Sequence, residues 1–545
     1  LSVFSGYLLM VAGDLDAVGP RLDDAERALA AVPDGSAVRW ADTEELRTLP
    51  ATIAVYRASL AQARGDVAGT SQHARHALDL AGPGDHLARG SAAGFLGLAA
   101  WAQGDVSTAL ATFTQAVASL HAAGNLVDEL SGTVVLADLW LVAGRPSKAR
   151  RLSERALRLA ETHGEPVALA TADLHVGLSE IDLEAGDLEA AHRHLEIAAG
   201  FVGRTSMTES RFRWFVAMGR VAEVAGDPQE AINLLDKAEQ LYRPGFFPDV
   251  RPIAAMKARV WISRGNLSQA VDWAHERGVS ATDDVSTDAS RPDDSSPDDS
   301  SPDDSSLDDS SPDASSLDDS SPDASNLDDS SLDDSSLDDS NYLREFDHLT
   351  FVRLLIAQYR VHRDTGALDQ AGRLLDRLRE PAETSGRAGS LLEIRILQAL
   401  VHDAQGDRTQ ALESLAQALT QAPEPGCYVR LFLDEGAPML GLLREATHHD
   451  VAGEHARRLL NVVASAEAEA PDAGQRPAPL SAESLSEREL QVLKLLDSEL
   501  SGPQIARELF VSHNTLRTHT KHIFTKLDVT SRRAAVLRAR ERGLM

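Results

Sequence analysis

The sequence predicts an all-α protein, a long array of stacked helical hairpins followed by a small helix-turn-helix domain. Three observations carry that expectation. A glycine recurs about every 40 residues through most of the 545-residue chain. An alanine follows it at a constant offset. From Leu485 onward, amphipathic helical segments succeed one another, and one of them has a polar face that carries cations and no carboxylate.

The array comes first. Gly65, Gly104, Gly144, Gly186, Gly226 and Gly265 stand 39, 40, 42, 40 and 39 residues apart, and Gly366 and Gly406 are again 40 apart. Ala109, Ala149, Ala191, Ala231, Ala270, Ala371 and Ala411 each lie five positions after such a glycine. Glycine tolerates the left-handed backbone of a tight turn, and a small alanine lets two antiparallel helices approach closely. Each period therefore predicts a helix, a turn and a helix, as in SAAGFLGLAAWAQGD followed by VSTALATFTQAVASLHAAG. Such repeats resemble tetratricopeptide repeats and stack into a superhelix with a long concave surface. The opening LSVFSGYLLMVAG lacks a cationic flank, so it reads as a first repeat helix and not as a signal peptide.

An insert interrupts the array. Residues 281–340 are near-repeats of a pentapeptide, S-[PL]-D-[DA]-S, with 21 Asp and one Arg. A segment so acidic and so poor in apolar side chains cannot bury enough surface to offset its ordering entropy. It also lacks the Gly-bearing, Glu-terminated loop of an EF-hand, so a disordered spacer is expected. Without it, the repeat phase continues. The expected organisation is repeats over 1–280, the insert over 281–340, repeats again over 341–463, a linker over 464–480 and a terminal domain over 481–545.

In the terminal domain, Ser486 and Glu489 form a capping box that opens a helix carrying Val492, Leu493, Leu495 and Leu496. Ser501 and Gln504 repeat the device, with Ile505, Ala506 and Leu509 facing inward. Ser512 caps a third helix, whose buried face takes Leu516, Thr520, Ile523 and Leu527. A different face holds Asn514, Arg517, Thr518, Lys521 and Thr525. Two helices across so short a break make a helix-turn-helix, and the cationic face suits a DNA groove. A fourth helix is expected over Ser531–Glu541 and stops at Gly543.

These residues resemble the LuxR-type DNA-binding domain over its whole length: LSERELQVLKLL, then GPQIARELFVSHNTLRTHTKHIFTKLDV, then AVLRARERGL. The sequence departs from the family pattern at Gln504 for Glu, Gly502 for Asn, Leu516 for Val, Arg517 for Lys and Asp528 for Gly. Leu516 and Arg517 keep size class and charge. The resemblance implies base-edge contacts from Arg517, Thr518 and Lys521. It implies phosphate contacts from Ser512, Asn514, Thr515, Lys526 and Arg532, and pairing of two subunits through the fourth helix. Repeats and terminal domain together resemble the maltose-regulator-like branch of the LuxR family, the large ATP-binding LuxR regulators. FFPDVRP at 246–252 and YVRLFLDEGAPM at 428–439 are the body segments that suggest it. An NTPase precedes the repeats in that branch, yet G-x-x-x-x-G-K-[ST] occurs nowhere here. The sequence starts at Leu1, already inside a repeat, so it is either the C-terminal part of a longer regulator or a version without that switch.

Net charge is −31. From Leu485 onward, 11 Lys and Arg stand against 7 Asp and Glu, a net +4 that leaves −35 for the remainder. An acidic body with a basic tip repels DNA everywhere except at the reading head. Cys427 is the single cysteine, so no intrachain disulfide exists, and a small buried residue is its expected role. His73, His76, His192 and His194 sit on surface-like helical positions without partners at metal spacing. His192 and His194 could mimic a metal pair, but i,i+2 residues point apart on a helix, so a solvated face is expected. No catalytic motif, metal or cofactor is indicated. No apolar run is long enough to span a membrane, and a cytoplasmic location is expected. The function expected is a transcription regulator, an activator, whose terminal domain reads promoter DNA in the major groove. Its repeats would hold a small-molecule or protein effector, and a homodimer and RNA polymerase are the expected further partners. Trp101, Trp140, Trp214 and Trp261 could line an effector groove, although aromatics at helical spacing more often pack the core. The alternative is a repeat scaffold whose terminal domain binds protein.

Overall fold

A computed structural model describes residues 2–31, 43–163, 167, 169–202, 208–242, 246–280, 342–448, 450–469, 487–497, 504–505, 520, 523, 529 and 532–541. The described residues form helices and the turns between them, with no strand. They belong to two compact units, 1–463 and 464–545.

In the first unit the glycine turns are the joints of helical hairpins. His86–Ala102 and Val106–Ala122 flank Gly104, which adopts φ +80°. The Gly104 N–H donates to Trp101 O at 2.9 Å and the Asp105 N–H to Ala100 O at 3.0 Å. That is a Schellman ending, with glycine at the left-handed position. Asp105 then caps the next helix by accepting from the Thr108 N–H at 2.9 Å. Asp66, Asp187, Asp227 and Asp407 cap in the same way after Gly65, Gly186, Gly226 and Gly406. One Gly-Asp pair thus ends one helix and starts the next. The same device at Gly13 and Asp14 joins Ser2–Ala12 to Leu15–Ala30, a hairpin that falls outside the 40-residue period.

The alanines behave as their spacing predicts. Ala109, Ala149, Ala191, Ala231, Ala270 and Ala411 are all fully buried. Opposite Ala231 lies Gly219, where an added Cβ would stand 3.3 Å from the Ala231 carbonyl oxygen, so both helices need small residues at that crossing.

One position differs from the expected series. Gly366 is not a turn residue but lies in the first turn of Thr365–Thr384, where its N–H donates to the capping Asp364. The left-handed residue is Arg363, at φ +58°. Ala371 is buried all the same, because it shares a helix face with Leu368 three residues earlier.

The array also bends back on itself, so its late elements rest on its early turns. The Trp101 indole N–H donates to the Tyr342 hydroxyl at 3.1 Å, across 241 residues of sequence. Glu424 accepts from the Ser147 N–H at 2.8 Å, supplying the cap that Arg145 cannot give to Pro146–Ala160. Glu184 does likewise for the short helix Val429–Leu433, accepting from the Leu431 N–H at 2.7 Å. The connector after Pro228–Leu241 crosses inward, where Gln62 donates to Phe246 O at 2.7 Å and the Phe95 and Phe246 rings meet edge to face. Gly144 lies so close to Pro423 that an added Cβ would stand 2.7 Å from its ring.

The insert joins two neighbouring elements of this array. At its flanks, Arg344 donates to Gly278 O at 3.0 Å, and Arg277 pairs with the buried Asp347 at 2.8 Å. Residues 281–340 themselves lie outside the described residues. At the other end of the array, Asp450–Glu469 continues helical past the point where the linker was expected to begin.

Candidate functional site

The terminal unit is a small helical core. Glu487–Leu496 starts one residue after Ser486, where the capping box places it, and Arg532–Glu541 occupies the expected fourth-helix span. Val492, Leu493, Leu496, Ile505, Ile523, Ala535 and Ala539 form one buried cluster, with Leu495, Val529 and Val536 packed against it. Ile523, assigned from sequence to the buried side of the third helix, is fully buried, and Thr520 is half-buried. Arg540 clamps both oxygens of Asp497 at 2.9 and 2.6 Å, tying the last helix to the first.

Of the expected DNA-contacting residues, Ser512, Asn514, Thr515, Arg517, Thr518, Lys521 and Lys526 lie outside the described residues. Arg532 is described. Its Nε donates to Leu496 O at 2.8 Å and its Nη2 to Leu495 O at 3.4 Å. Those carbonyls belong to the last turn of a helix, so the Arg532 guanidinium caps the C-terminal end of Glu487–Leu496. The sequence reading missed this second duty, which depends on two helices meeting.

Within the first unit, the closure of the array leaves a partly open cavity of about 130 Å³. One water needs roughly 10–15 Å³ by the same kind of measure, so there is room for a ligand of several heavy atoms. Both body segments singled out in the sequence reach it: Val250 and Arg251 from FFPDVRP, and Tyr428 and Leu431 from YVRLF. The walls are strongly charged. Glu393 pairs with Arg353 at 2.7 Å and Arg259 at 2.9 Å, and Glu345 with Arg387 at 3.1 Å. Glu184 pairs with Arg220 at 3.4 Å. Burial alone would raise Glu393, but Arg259 and Arg353 hold it at about 2. Burial wins instead at Glu184 and Glu345, whose carboxyls sit above their usual range despite their arginines.

The expected aromatic and titratable residues fall into place around this frame. Trp101 is buried, and Trp214 donates its indole N–H to Leu195 O at 3.0 Å. Trp140 and Trp261 pack half-buried against repeat cores, and none of the four lines the cavity. Cys427 is half-buried, and burial together with Glu424 raises its thiol, the opposite of a nucleophile's environment. His194 corrects the reading of a solvated histidine face. It is half-buried, with its Nδ1 2.9 Å from that of His175 on the preceding helix. Spacing along one helix could not reveal a partner supplied by its antiparallel neighbour. Among the described residues no group of histidine, cysteine and carboxylate side chains could hold a metal ion, and no helix is long and apolar enough to cross a membrane.

Comparison with known proteins agrees with this architecture. The family described as "MalT-like TPR region" matches residues 51–291 and 327–449, and "Bacterial regulatory proteins, luxR family" matches 483–539. The HTH-type transcriptional regulator MalT of Vibrio campbellii is 28% identical over 196 residues, 33% of this chain and 22% of that protein. MalT of Vibrio cholerae is 28% identical over 192 residues, 32% of this chain and 21% of that protein. The matched stretch therefore spans about a fifth of the length of these curated relatives. Among solved structures, a Rap protein complexed with competence and sporulation factor aligns at TM-score 0.49 and 11% identity, covering 77% of this chain and 96% of that one. With the helical-repeat family matched over more than half of its length, the chain belongs to the MalT-like TPR family and carries a luxR-family regulatory domain at its C-terminal end.

Proposed function

We propose that this protein is a transcription regulator that acts in the cytoplasm as an activator, sensing an effector through its repeats and reading promoter DNA through its terminal domain. The observation that carries the reading is the terminal unit itself. It has a separate core, a net charge of +4 from Leu485 onward and a luxR-family match, and it is attached to a body of opposite charge. Duplex DNA carries a dense line of phosphates, so a basic head on an acidic body restricts non-specific attraction to the head. In this reading Arg517, Thr518 and Lys521 contact base edges, and Ser512, Asn514, Thr515, Lys526 and Arg532 contact phosphate. The fourth helix pairs two subunits, the repeats hold the effector, and RNA polymerase is the partner at the promoter. No cofactor is required.

The test is binding of the full-length protein, and of fragment 464–545, to duplexes selected from a random library and to scrambled duplexes. Both proteins should bind, and both should prefer the selected sequence. An arginine bidentate to guanine is worth about 1–3 kcal/mol of discrimination, so Arg517→Ala should reduce the preference by roughly ten- to a hundredfold. Lys526→Ala should weaken both duplexes alike and flatten the salt dependence. Arg532→Ala should in addition lower the head's melting temperature, since it removes a helix cap. No duplex binding by either protein would favour the scaffold reading, in which the terminal domain binds protein.

A further inference from the structure

The cavity in the array is a built site with unused binding capacity. Three of its carboxylates already have an arginine: Glu184 pairs with Arg220 on the same wall, and Glu345 and Glu393 with Arg387 and Arg353 behind it. Two opposite charges on its wall make no direct ion pair. Arg251 and Glu180 both line the cavity and form no ion pair among the described residues, although Glu180 also lies within charge reach of Arg220. Tyr428 supplies an independent sign of a missing ligand. It is 8% exposed, it lines the same cavity, and its hydroxyl has no hydrogen-bond partner. Leaving a buried hydroxyl unpaired costs about 1–3 kcal/mol, which a ligand acceptor would recover. Burial and the neighbouring Glu184 keep that phenol protonated, so it stays a donor.

Arg251 is placed to act on several groups at once. Its charge reaches Glu184, Glu393, Tyr342 and Tyr428, which come from four separate stretches of the sequence. An anion beside Arg251 would also face the carboxylates of the wall, which disfavours a doubly charged ligand such as a phosphate monoester. A group of single negative charge, joined to a cation that settles on Glu180, meets both groups that lack a direct ion pair and leaves the net charge of the cavity unchanged.

We propose that this cavity binds a small zwitterion, an amino acid or dipeptide whose carboxylate takes Arg251 and the Tyr428 hydroxyl and whose ammonium takes Glu180. The proposal rests on the reading that the repeats hold the effector. Its test uses the full-length protein, with the standard amino acids, glycylglycine and alanylalanine as probes in thermal-shift and calorimetric titrations. Propionate, propylamine and sucrose serve as single-charge and neutral controls. At least one zwitterion should raise the melting temperature dose-dependently and saturate, while the controls should not. Arg251→Gln and Glu180→Gln should each weaken it about tenfold or more, in line with a charge-assisted bond of about 1.5–3 kcal/mol, and Tyr428→Phe should weaken it less. Far-ultraviolet circular dichroism identifies any variant that fails to fold, and the remaining variants then decide. A panel in which no zwitterion binds overturns the proposal. So does a zwitterion whose affinity survives Arg251→Gln and Glu180→Gln, or sucrose binding that both variants retain. DNA binding measured on the same preparations reports separately on the head.

Discussion

At the scale of single residues, glycine carries two distinct burdens in this array. Gly226 adopts φ +85° with nothing near its missing Cβ, so only backbone conformation requires it. Gly144 adopts φ +74° and in addition has Pro423 and Ala388 where a Cβ would go. Gly226→Ala should therefore cost about 1 kcal/mol, the penalty of a left-handed alanine. Gly144→Ala should cost roughly 2–4 kcal/mol, since overpacking adds about 1–3 kcal/mol. Denaturant unfolding of the two variants measures the difference. Equal losses would mean that the late elements do not press on the Gly144 turn. The periodic glycines were legible because φ above zero excludes nearly every other residue. Arg363 was not legible, because a non-glycine residue in that region leaves no sequence mark, and Gly366 nearby offered a plausible substitute.

At the scale of elements, the pairing of Ala172–Glu184 with Leu188–Val202 builds a pH response. His175 lies beside His194, and His194 Nε2 stands 3.7 Å from the buried Asp182, which Arg150 also holds. Burial, and then the charge of His194, lower His175 to about 4. Its unfolded value is near 6.5, so below that pH the unfolded state takes up a proton that the folded state refuses. The stability tied to His175 is thus complete above about pH 6.5, falls as pH drops toward 4 and is constant below. Relative to His175→Gln, the wild type should lose stability across that window and hold a constant offset on either side. Parallel denaturant titrations at pH 7, 5.5 and 4 would show it. A constant difference at all three would exclude His175 as the group responsible. Neither histidine announced this, because helical periodicity places each on its own helix and says nothing of what the neighbour presents.

At the scale of the whole molecule, the insert and the closure of the array have opposite standing. The two flanks of residues 281–340 are held together by Arg344 on the Gly278 carbonyl and by Arg277 on Asp347. A long spacer between ends already in contact adds little to loop-closure cost, since that cost grows only with the logarithm of length. Replacing 281–340 with a short Gly-Ser linker should leave helix content unchanged and move the melting temperature by no more than a few degrees. Circular dichroism melts of the two proteins decide this. Collapse of the body on deletion would show that the Asp/Ser segment packs. The closure is the reverse case, in which a few contacts at very long sequence separation define an interior. Trp101 with Tyr342, Ser147 with Glu424, and Glu184 with Leu431 tie the late elements to the early ones, and Tyr342, Glu184 and Leu431 line the cavity.

What the sequence determined by itself was everything of short range. It contained the helical hairpins through Gly turns and buried Ala, the start of Glu487–Leu496 through its capping box, and the terminal core through apolar residues at helical spacing. Each of these depends on backbone conformation or on residues within a turn or two, so a pattern in one stretch of sequence suffices to specify it. Tertiary structure alone decided that the array turns back on itself, that Glu424 and Glu184 cap helices hundreds of residues away, and that Arg532 caps a neighbour within the head. It also decided that Arg251, Glu180 and Tyr428 share one cavity. Small rotations between successive repeats accumulate over the array, and only their sum sets which distant residues meet. No local pattern encodes that sum.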